Sequence, residues 1–104
     1  MNRYMNRYIV NNINKYKKVY DLPDLKISKS DREGKRFKAT YTDYDGKRRK
    51  IYFGQDGAYT YADGAPDSKR RAYRARASAQ YTKAGKQAIS IPGSAASLSY
   101  NILW

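Results

Sequence analysis

The chain has 104 residues, a net charge of +13, and neither Cys nor His. A chain of this length forms one domain at most, and without Cys or His it lacks a disulfide framework and the usual zinc ligands. No apolar run approaches the ~20 residues that span a bilayer, and no signal-peptide core is evident, so we expect a protein that stays in, or is assembled inside, a cell.

The excess of positive charge indicates an acidic partner, such as nucleic acid, an anionic membrane surface or an acidic protein. The chain also contains 12 Tyr beside two Phe and one Trp. Tyr combines a large contact area with a polar tip, which suits interfaces as well as small cores. The alternative is that the charge and the tyrosines simply form the solvated surface of a small fold.

Residues 1–20 are predicted to form a basic N-terminal arm. Apolar residues between Ile9 and Tyr20 recur at the spacing of a short amphipathic helix, whereas the Asn residues among them favour an extended chain. Both interpretations stay open. We expect the arm to order mainly against a partner. Its cations are Arg3, Arg7, Lys15, Lys17 and Lys18.

Residues 21–82 are predicted to hold the folded core, which starts with a three-stranded antiparallel β-meander. Residues 25–29, 36–42 and 47–53 alternate as half-buried strands do, with Phe37, Ala39 and Tyr41 on one face. The Asp45-Gly46 pair predicts a tight hairpin, because glycine accepts the positive φ that such turns need.

A basic helix is predicted over residues 67–80, after a start signal that contains Pro66 and Asp67. We expect this helix to cover the apolar face of the sheet through the small side chains of Ala72, Ala75 and Ala79. Its cations, with two from the third strand, are the candidate contacts for an anion, a nucleic acid or a protein partner. They are Arg48, Arg49, Lys69, Arg70, Arg71, Arg74 and Arg76. The alternative is a solvated helix surface.

Residues 83–104 are predicted to form a loose C-terminal tail, with an additional edge strand at residues 89–91. The last three residues, Ile102, Leu103 and Trp104, are apolar. We expect them to be an anchor, because apolar bulk at a terminus is costly to leave in water. The predicted class is therefore α+β: a small meander covered by one basic helix, with extended arms at both ends.

No catalytic or metal site is evident in the sequence. Without His or Cys, a nucleophile and its base would have to come from Ser, Lys or Asp, and no motif brings those residues together. The nine acidic residues are spread among cations and form no paired site. We therefore predict a non-enzymatic protein without a cofactor, a metal or a small-molecule substrate.

A set of short motifs runs through the second half of the chain: the Phe53-Gly54 and Tyr59-Thr60 pairs, the Asp67–Arg76 helix and the Leu103-Trp104 end. In these motifs the chain resembles a family of small basic proteins encoded by large double-stranded DNA viruses of algae and protists. The resemblance covers about residues 25–104. Asp67, Arg70 and Tyr73 keep the three-residue spacing of the family's helix, whereas Tyr52 and Ala77 stand where the family commonly has His. The resemblance implies a protein of a giant-virus particle, such as a minor capsid component, and implies no activity.

Two hypotheses about function follow. The first is a minor capsid or cementing protein of the virion, which binds neighbouring capsid proteins through Tyr-rich and basic surfaces. The second is a nucleic-acid-binding or genome-packaging protein that contacts DNA by non-specific electrostatics. The sequence contains no known nucleic-acid-recognition motif. The net charge fits both hypotheses.

Overall fold

The computed structural model describes residues 5–104. Its elements, in chain order, are α1 (Arg7–Val19), β1 (Lys26–Lys29), β2 (Lys35–Thr42), β3 (Arg48–Gln55), α2 (Asp67–Ser78) and α3 (Ala95–Leu98). Short 3-10 turns at Tyr61–Asp63 and Ala88–Ser90 flank α2, and a π-helical turn, Ser99–Leu103, continues α3. The predicted α+β class is confirmed.

The three strands form an antiparallel meander in the order β1–β2–β3, as predicted. Phe37 pairs with Phe53, and Ala39 pairs with Ile51. Paired residues of an antiparallel sheet point to the same face, so this register makes one apolar face across β2 and β3. Phe37, Ala39 and Tyr41 are all buried, as their alternation predicted.

The hairpin between β2 and β3 turns at the predicted Asp45-Gly46 pair. Gly46 has a φ of 83°, a conformation that costs little only without a Cβ. The carboxylate of Asp43 accepts hydrogen bonds from the backbone N–H groups of Asp45 and Lys47, at 3.0 and 2.9 Å. This local bonding holds the turn and fixes the strand register.

The apolar face of the sheet is covered by α3 and the π-helical turn, and not by α2 as predicted. Leu98, Ile102 and Leu103 are buried and join Phe37 and Phe53 in one core. Helix α2 packs mainly against the two 3-10 turns. Leucine and isoleucine bury far more apolar area than alanine, so the C-terminal segment is the stronger cover.

The face of α2 that packs against the rest of the protein is not the alanine face that the sequence predicted. Ala72, Ala75 and Ala79 are exposed, so the predicted packing stripe is wrong. The packed face instead carries the half-buried Tyr73, whose ring stacks on Trp104. An aromatic stack buries more surface than a row of methyl groups, and it sets the rotation of the helix.

The predicted N-terminal arm is helical from Arg7, and the extended interpretation is wrong there. The Asn6 side chain caps α1 by accepting a hydrogen bond from the Ile9 backbone N–H at 2.9 Å. Ile9 and Tyr16 lie on one side of the helix and are buried in the core. Asn12 donates from Nδ2 to the main-chain oxygen of Ile102 at 3.1 Å. These tertiary contacts outweigh the low helix propensity of asparagine.

The predicted C-terminal tail is also folded onto the protein. Residues 88–90 form a 3-10 turn instead of an edge strand. The Ser94 side chain then caps α3 by accepting a hydrogen bond from the Ser97 backbone N–H at 3.1 Å. Side chains from the three predicted segments, 1–20, 21–82 and 83–104, meet in one core. For the described residues, the expectation that both ends order mainly through other chains is therefore wrong.

Candidate functional site

A cleft of about 180 Å³ lies between α1 and α2. The α1 side chains recur at three- and four-residue spacing, which places them on one face of that helix, and Arg70 and Arg74 share a face of α2 in the same way. One residue of the π-helical turn completes the lining. We call this feature the α1–α2 cleft, and its lining residues are Tyr8, Asn12, Lys15, Tyr16, Val19, Tyr20, Arg70, Arg74 and Asn101.

Arg70 is held in the cleft by two contacts. Its Nε donates a hydrogen bond to the main-chain oxygen of Trp104 at 2.7 Å. Its Cζ lies 4.4 Å from the centroid of the Tyr61 ring, a cation–π distance. The guanidinium group is therefore oriented before any ligand arrives.

Arg74 is held by an aromatic ring but lacks a hydrogen-bond partner for Nε. Its Cζ lies 4.4 Å from the centroid of the Tyr100 ring. Its Nε is buried, and no acceptor among residues 5–104 reaches it. A buried donor left unsatisfied costs about 1–3 kcal/mol.

The charged side chains of the α1–α2 cleft are all cations. Lys15, Arg70 and Arg74 line it, and among residues 5–104 no carboxylate side chain does. Among the described residues, no ion pair joins any of these three cations to Asp or Glu. Three cations around a small space repel one another, so an anion between them would be stabilised by all three.

Neutral groups of the cleft supply further hydrogen-bond donors. The amides of Asn12 and Asn101 each use one N–H, toward the main-chain oxygens of Ile102 and Ser97, and keep a second. Burial raises the pKa of the Tyr16 hydroxyl above its usual value, although hydrogen bonds with Ser97 and Gly93 act against that rise. The hydroxyl therefore stays protonated at neutral pH.

The other predicted α2 cations face away from the cleft. Lys69, Arg71 and Arg76 are exposed. At 3.6 residues per turn, Arg71 borders one side of the exposed alanine strip, whereas Lys69 and Arg76 border the other. We call these three cations, with the strip of Ala72, Ala75 and Ala79, the exposed face of α2. The structure thus separates the candidate α2 residues into two groups.

Arg48 and Arg49 belong to neither group. Both lie at the start of β3 and are exposed. Arg48 Nη1 lies 2.8 Å from Asp24 Oδ2, and Arg49 Nε lies 2.7 Å from Asp43 Oδ2. Their charges are thus balanced at short range by carboxylates, which weakens them as contacts for an external anion.

The predicted anchor, Ile102, Leu103 and Trp104, is buried within the chain's own core. Leu103 packs closely on Gly54 of β3. A Cβ added to that glycine would lie 3.0 Å from Leu103 Cδ1. Trp104 stacks on Tyr73. The three residues therefore hold the sheet and α2 together.

Sequence reasoning missed the α1 side of the cleft. It named Lys15 only as an arm cation, and Arg3 of the same arm lies outside the described residues. The available signal was the spacing of Tyr8, Asn12 and Tyr16, which share one helix face when residues 7–19 are taken as a helix. Nothing in the spacing indicates that this face meets α2.

Two further observations concern the chain between residues 5 and 104. Within that range, no group of three or more Asp and Glu side chains is close enough together to hold a metal ion. No helix in the same range is long and apolar enough to cross a membrane.

A family model described as "Family of unknown function (DUF5754)" matches residues 25–77, which is just over half of the chain. This chain belongs to the DUF5754 family. The matched part runs from the start of the meander almost to the end of α2, so it includes Arg70, Arg74 and the exposed face of α2 apart from Ala79. The α1 side of the α1–α2 cleft lies outside the matched residues, as do α3 and the π-helical turn that cover the sheet.

A relative is found in Acanthamoeba polyphaga mimivirus. The chain is 74% identical over 100 residues to "Uncharacterized protein L851", an alignment that spans 96% of this chain and all of that protein. The predicted resemblance to a family of giant-virus proteins is thereby confirmed. No solved structure matches the chain.

Proposed function

We propose that this DUF5754 protein is a non-enzymatic giant-virus protein that binds the phosphate backbone of nucleic acid without reading its sequence. The observation that carries the proposal is the exposed face of α2. Its cations, Lys69, Arg71 and Arg76, border a strip of alanines. Small side chains let a phosphate backbone approach the helix closely, and cations on both borders then reach phosphates.

The charges of this face are available to a partner. Among the described residues, no ion pair joins Lys69, Arg71 or Arg76 to a carboxylate. The net charge of +13 adds a long-range attraction for any polyanion. None of the α2 residues from Lys69 to Arg76 is Asn or Gln, the usual readers of adenine. Binding by this face therefore depends on phosphates more than on bases.

The test is the salt dependence of binding to two duplex DNAs of unrelated sequence. We expect equal affinities for the two duplexes and a steep linear fall of log affinity with log salt. The variant Lys69→Gln/Arg71→Gln/Arg76→Gln should flatten the slope by about 0.9 for each phosphate contact that it loses.

The matched control removes three charges elsewhere, from exposed positions in turns: Lys47→Gln/Lys83→Gln/Lys86→Gln. It should change the slope much less. An equal effect of the two triple variants would mean that net charge alone drives binding, and the assignment to α2 would be wrong. A strong preference for one duplex would contradict binding without sequence readout.

The second candidate function is a minor capsid or cementing protein of the virion. The observation that favours it is a set of large side chains more than half exposed: Val19, Tyr44, Tyr59 and Tyr81. Exposed aromatic side chains are enriched where proteins bind one another. The proposed partners are then other capsid proteins, and the proposed location is the capsid.

Fractionation of virus particles separates the two candidates. Release of this protein with the shell after the genome is removed supports the capsid role. Release together with the DNA, in a salt-dependent way, supports nucleic-acid binding. Absence of the protein from purified particles would contradict the capsid role and would also contradict binding to the packaged genome. Nucleic-acid binding would then take place in the infected cell.

A further inference from the structure

We propose that the α1–α2 cleft binds a single phosphate group, either at the end of a nucleic-acid strand or as a free anion. The site is distinct from the exposed face of α2, because Lys69, Arg71 and Arg76 do not line it. Binding along a phosphate backbone needs exposed cations only. A cleft with convergent donors adds recognition of one discrete anion.

The size of the cleft favours a compact ligand. Its volume of about 180 Å³ is below the roughly 300–1,000 Å³ of pockets that enclose drug-sized molecules. A phosphate group is small, and it carries several acceptor oxygens in a tetrahedral arrangement. Donors that converge from two helices and the π-helical turn can therefore contact different oxygens of one group.

The charges of the cleft select an anion. Arg70 and Arg74 stand one turn apart on α2, and Lys15 of α1 lines the same space. The planar fork of arginine donors matches phosphate oxygens in a bidentate way, and lysine adds a point charge. Within the described part of the chain, no carboxylate side chain lines the cleft to compete with such a ligand.

The two arginines are also preorganised. Each guanidinium is stacked on a tyrosine ring, with Cζ 4.4 Å from the ring centroid. Within residues 5–104, the Nη atoms of Arg70 and Arg74 make no hydrogen bond, so their outer donors are available. Stacking lowers the entropy that is lost when a long side chain orders around a ligand.

Neutral donors complete the site. Asn12 and Asn101 contribute amide N–H groups, whereas the hydroxyl of Tyr8, which also lines the cleft, donates to the main-chain oxygen of Trp104 at 3.5 Å. A set of charged and neutral donors suits an anionic group with several acceptor oxygens, such as phosphate. The same set is unfavourable for a ligand that carries its own cation.

The test is an NMR titration of the full chain with inorganic phosphate, with chloride at matched ionic strength as the reference. We expect phosphate to shift the side-chain amide signals of Asn12 and Asn101, and chloride to leave them nearly unchanged. Lys15→Gln and Arg74→Gln should each weaken phosphate binding roughly tenfold or more, since hydrogen bonds to charged groups are lost.

Arg71→Gln is the matched control, because it removes the same charge from the exposed side of α2. It should leave phosphate affinity unchanged while it lowers the salt slope for DNA. Arg74→Gln also loses the stack on Tyr100, so Lys15→Gln, at an exposed α1 position, tests the site without that loss. Equal weakening by Arg71→Gln, or equal shifts with chloride, would overturn the proposal.

Two oligonucleotides identify the source of the phosphate group. A single strand with a 5′-phosphate should bind more tightly than the same strand with a 5′-hydroxyl if strand ends are the ligand. Equal binding of the two strands, with cleft signals that still respond to inorganic phosphate, assigns the site to a free anion. A cleft that responds to none of these probes overturns the proposal and leaves the salt-slope test of α2 unaffected.

Discussion

Tyr73 of α2 stacks on Trp104, with ring centroids 4.4 Å apart and planes that differ by 9°. Burial raises the pKa of Tyr73 above its usual value, against the effect of Arg76 and Arg74. The contact joins α2 to the end of the chain, and Arg70 reinforces it through its bond to the Trp104 main-chain oxygen. A residue at the end of the chain therefore sets the position of a helix 30 residues earlier.

We expect Trp104→Ala to destabilise the protein by about 3–5 kcal/mol, because it empties a buried aromatic site. Trp104 is only 8% exposed. The measurement is urea denaturation, in which the midpoint should fall while the slope stays constant. Tyr81→Ala is the control, since Tyr81 is 64% exposed. Equal stability of wild type and Trp104→Ala would show that the terminal stack contributes nothing.

Gly54 makes the sheet accessible to its helical cover. It has a φ of 77°, and an added Cβ would lie 3.0 Å from Leu103 Cδ1 and 3.3 Å from Arg36 Cβ. Gly54→Ala should therefore lower the free energy of unfolding for two reasons. The left-handed backbone costs about 1–2 kcal/mol, and overpacking costs about 1–3 kcal/mol.

Gly57→Ala separates these two penalties. Gly57 has a φ of 81°, but no atom of residues 5–104 lies within 4 Å of an added Cβ. It should therefore show the backbone penalty alone in the same denaturation experiment. If the two variants lose equal stability, Leu103 is not tightly packed on Gly54.

The sheet was predictable from sequence because its signals are local. Alternation in β2 places Phe37, Ala39 and Tyr41 on one face, and Gly46 supplies the turn conformation. Both depend only on neighbours along the chain. The strand boundaries differ from those predicted by no more than two residues.

The ends and the cleft were not predictable in the same way, because their causes lie far apart in the chain. Asn12 sits in α1 although asparagine is a weak helix former, and its amide bonds to Ile102. The rotation of α2 is set by the partner of Tyr73, which is Trp104. Lys15 and Arg74 share a cleft only after both helices have packed. Periodicity identifies a helix face but does not identify its partner.

Tyr16→Phe tests the buried polar contacts between α1 and the C-terminal segment. The Tyr16 hydroxyl accepts a hydrogen bond from the Gly93 backbone N–H at 2.8 Å and lies 2.7 Å from Ser97 Oγ. Its removal leaves buried groups unsatisfied, so we expect a loss of about 1–3 kcal/mol by urea denaturation. Tyr59→Phe removes an exposed hydrogen bond to Gly64 and should cost less. An equal cost at the two sites would contradict the role assigned to burial.

Asp63 should make the fold sensitive to acid. Burial raises the pKa of its carboxyl, but bonds from Arg36 and Thr60 outweigh burial and lower the pKa to about 2. Arg36 donates from both Nη atoms, each at 2.7 Å. Because the folded-state pKa is below the usual value of 3.8, the stabilisation is complete above about pH 5 and is lost as pH falls through the folded value, a loss of about 2 kcal/mol.

Asp63→Asn should reduce the free energy of unfolding at pH 7. Between pH 5 and pH 2 the variant should lose less stability than the wild type, because it lacks the carboxylate that becomes protonated there. Some acid sensitivity should remain, because hydrogen bonds from Thr42 and Arg49 lower the pKa of Asp24 and Asp43 in the same direction. Asp56→Asn is the control, since the described residues give that carboxylate no hydrogen bond or ion pair. Urea denaturation at each pH measures the three curves. Parallel curves for wild type and Asp63→Asn below pH 5 would show that Arg36 does not hold the carboxylate ionised, and the bidentate pair would then contribute little to the fold.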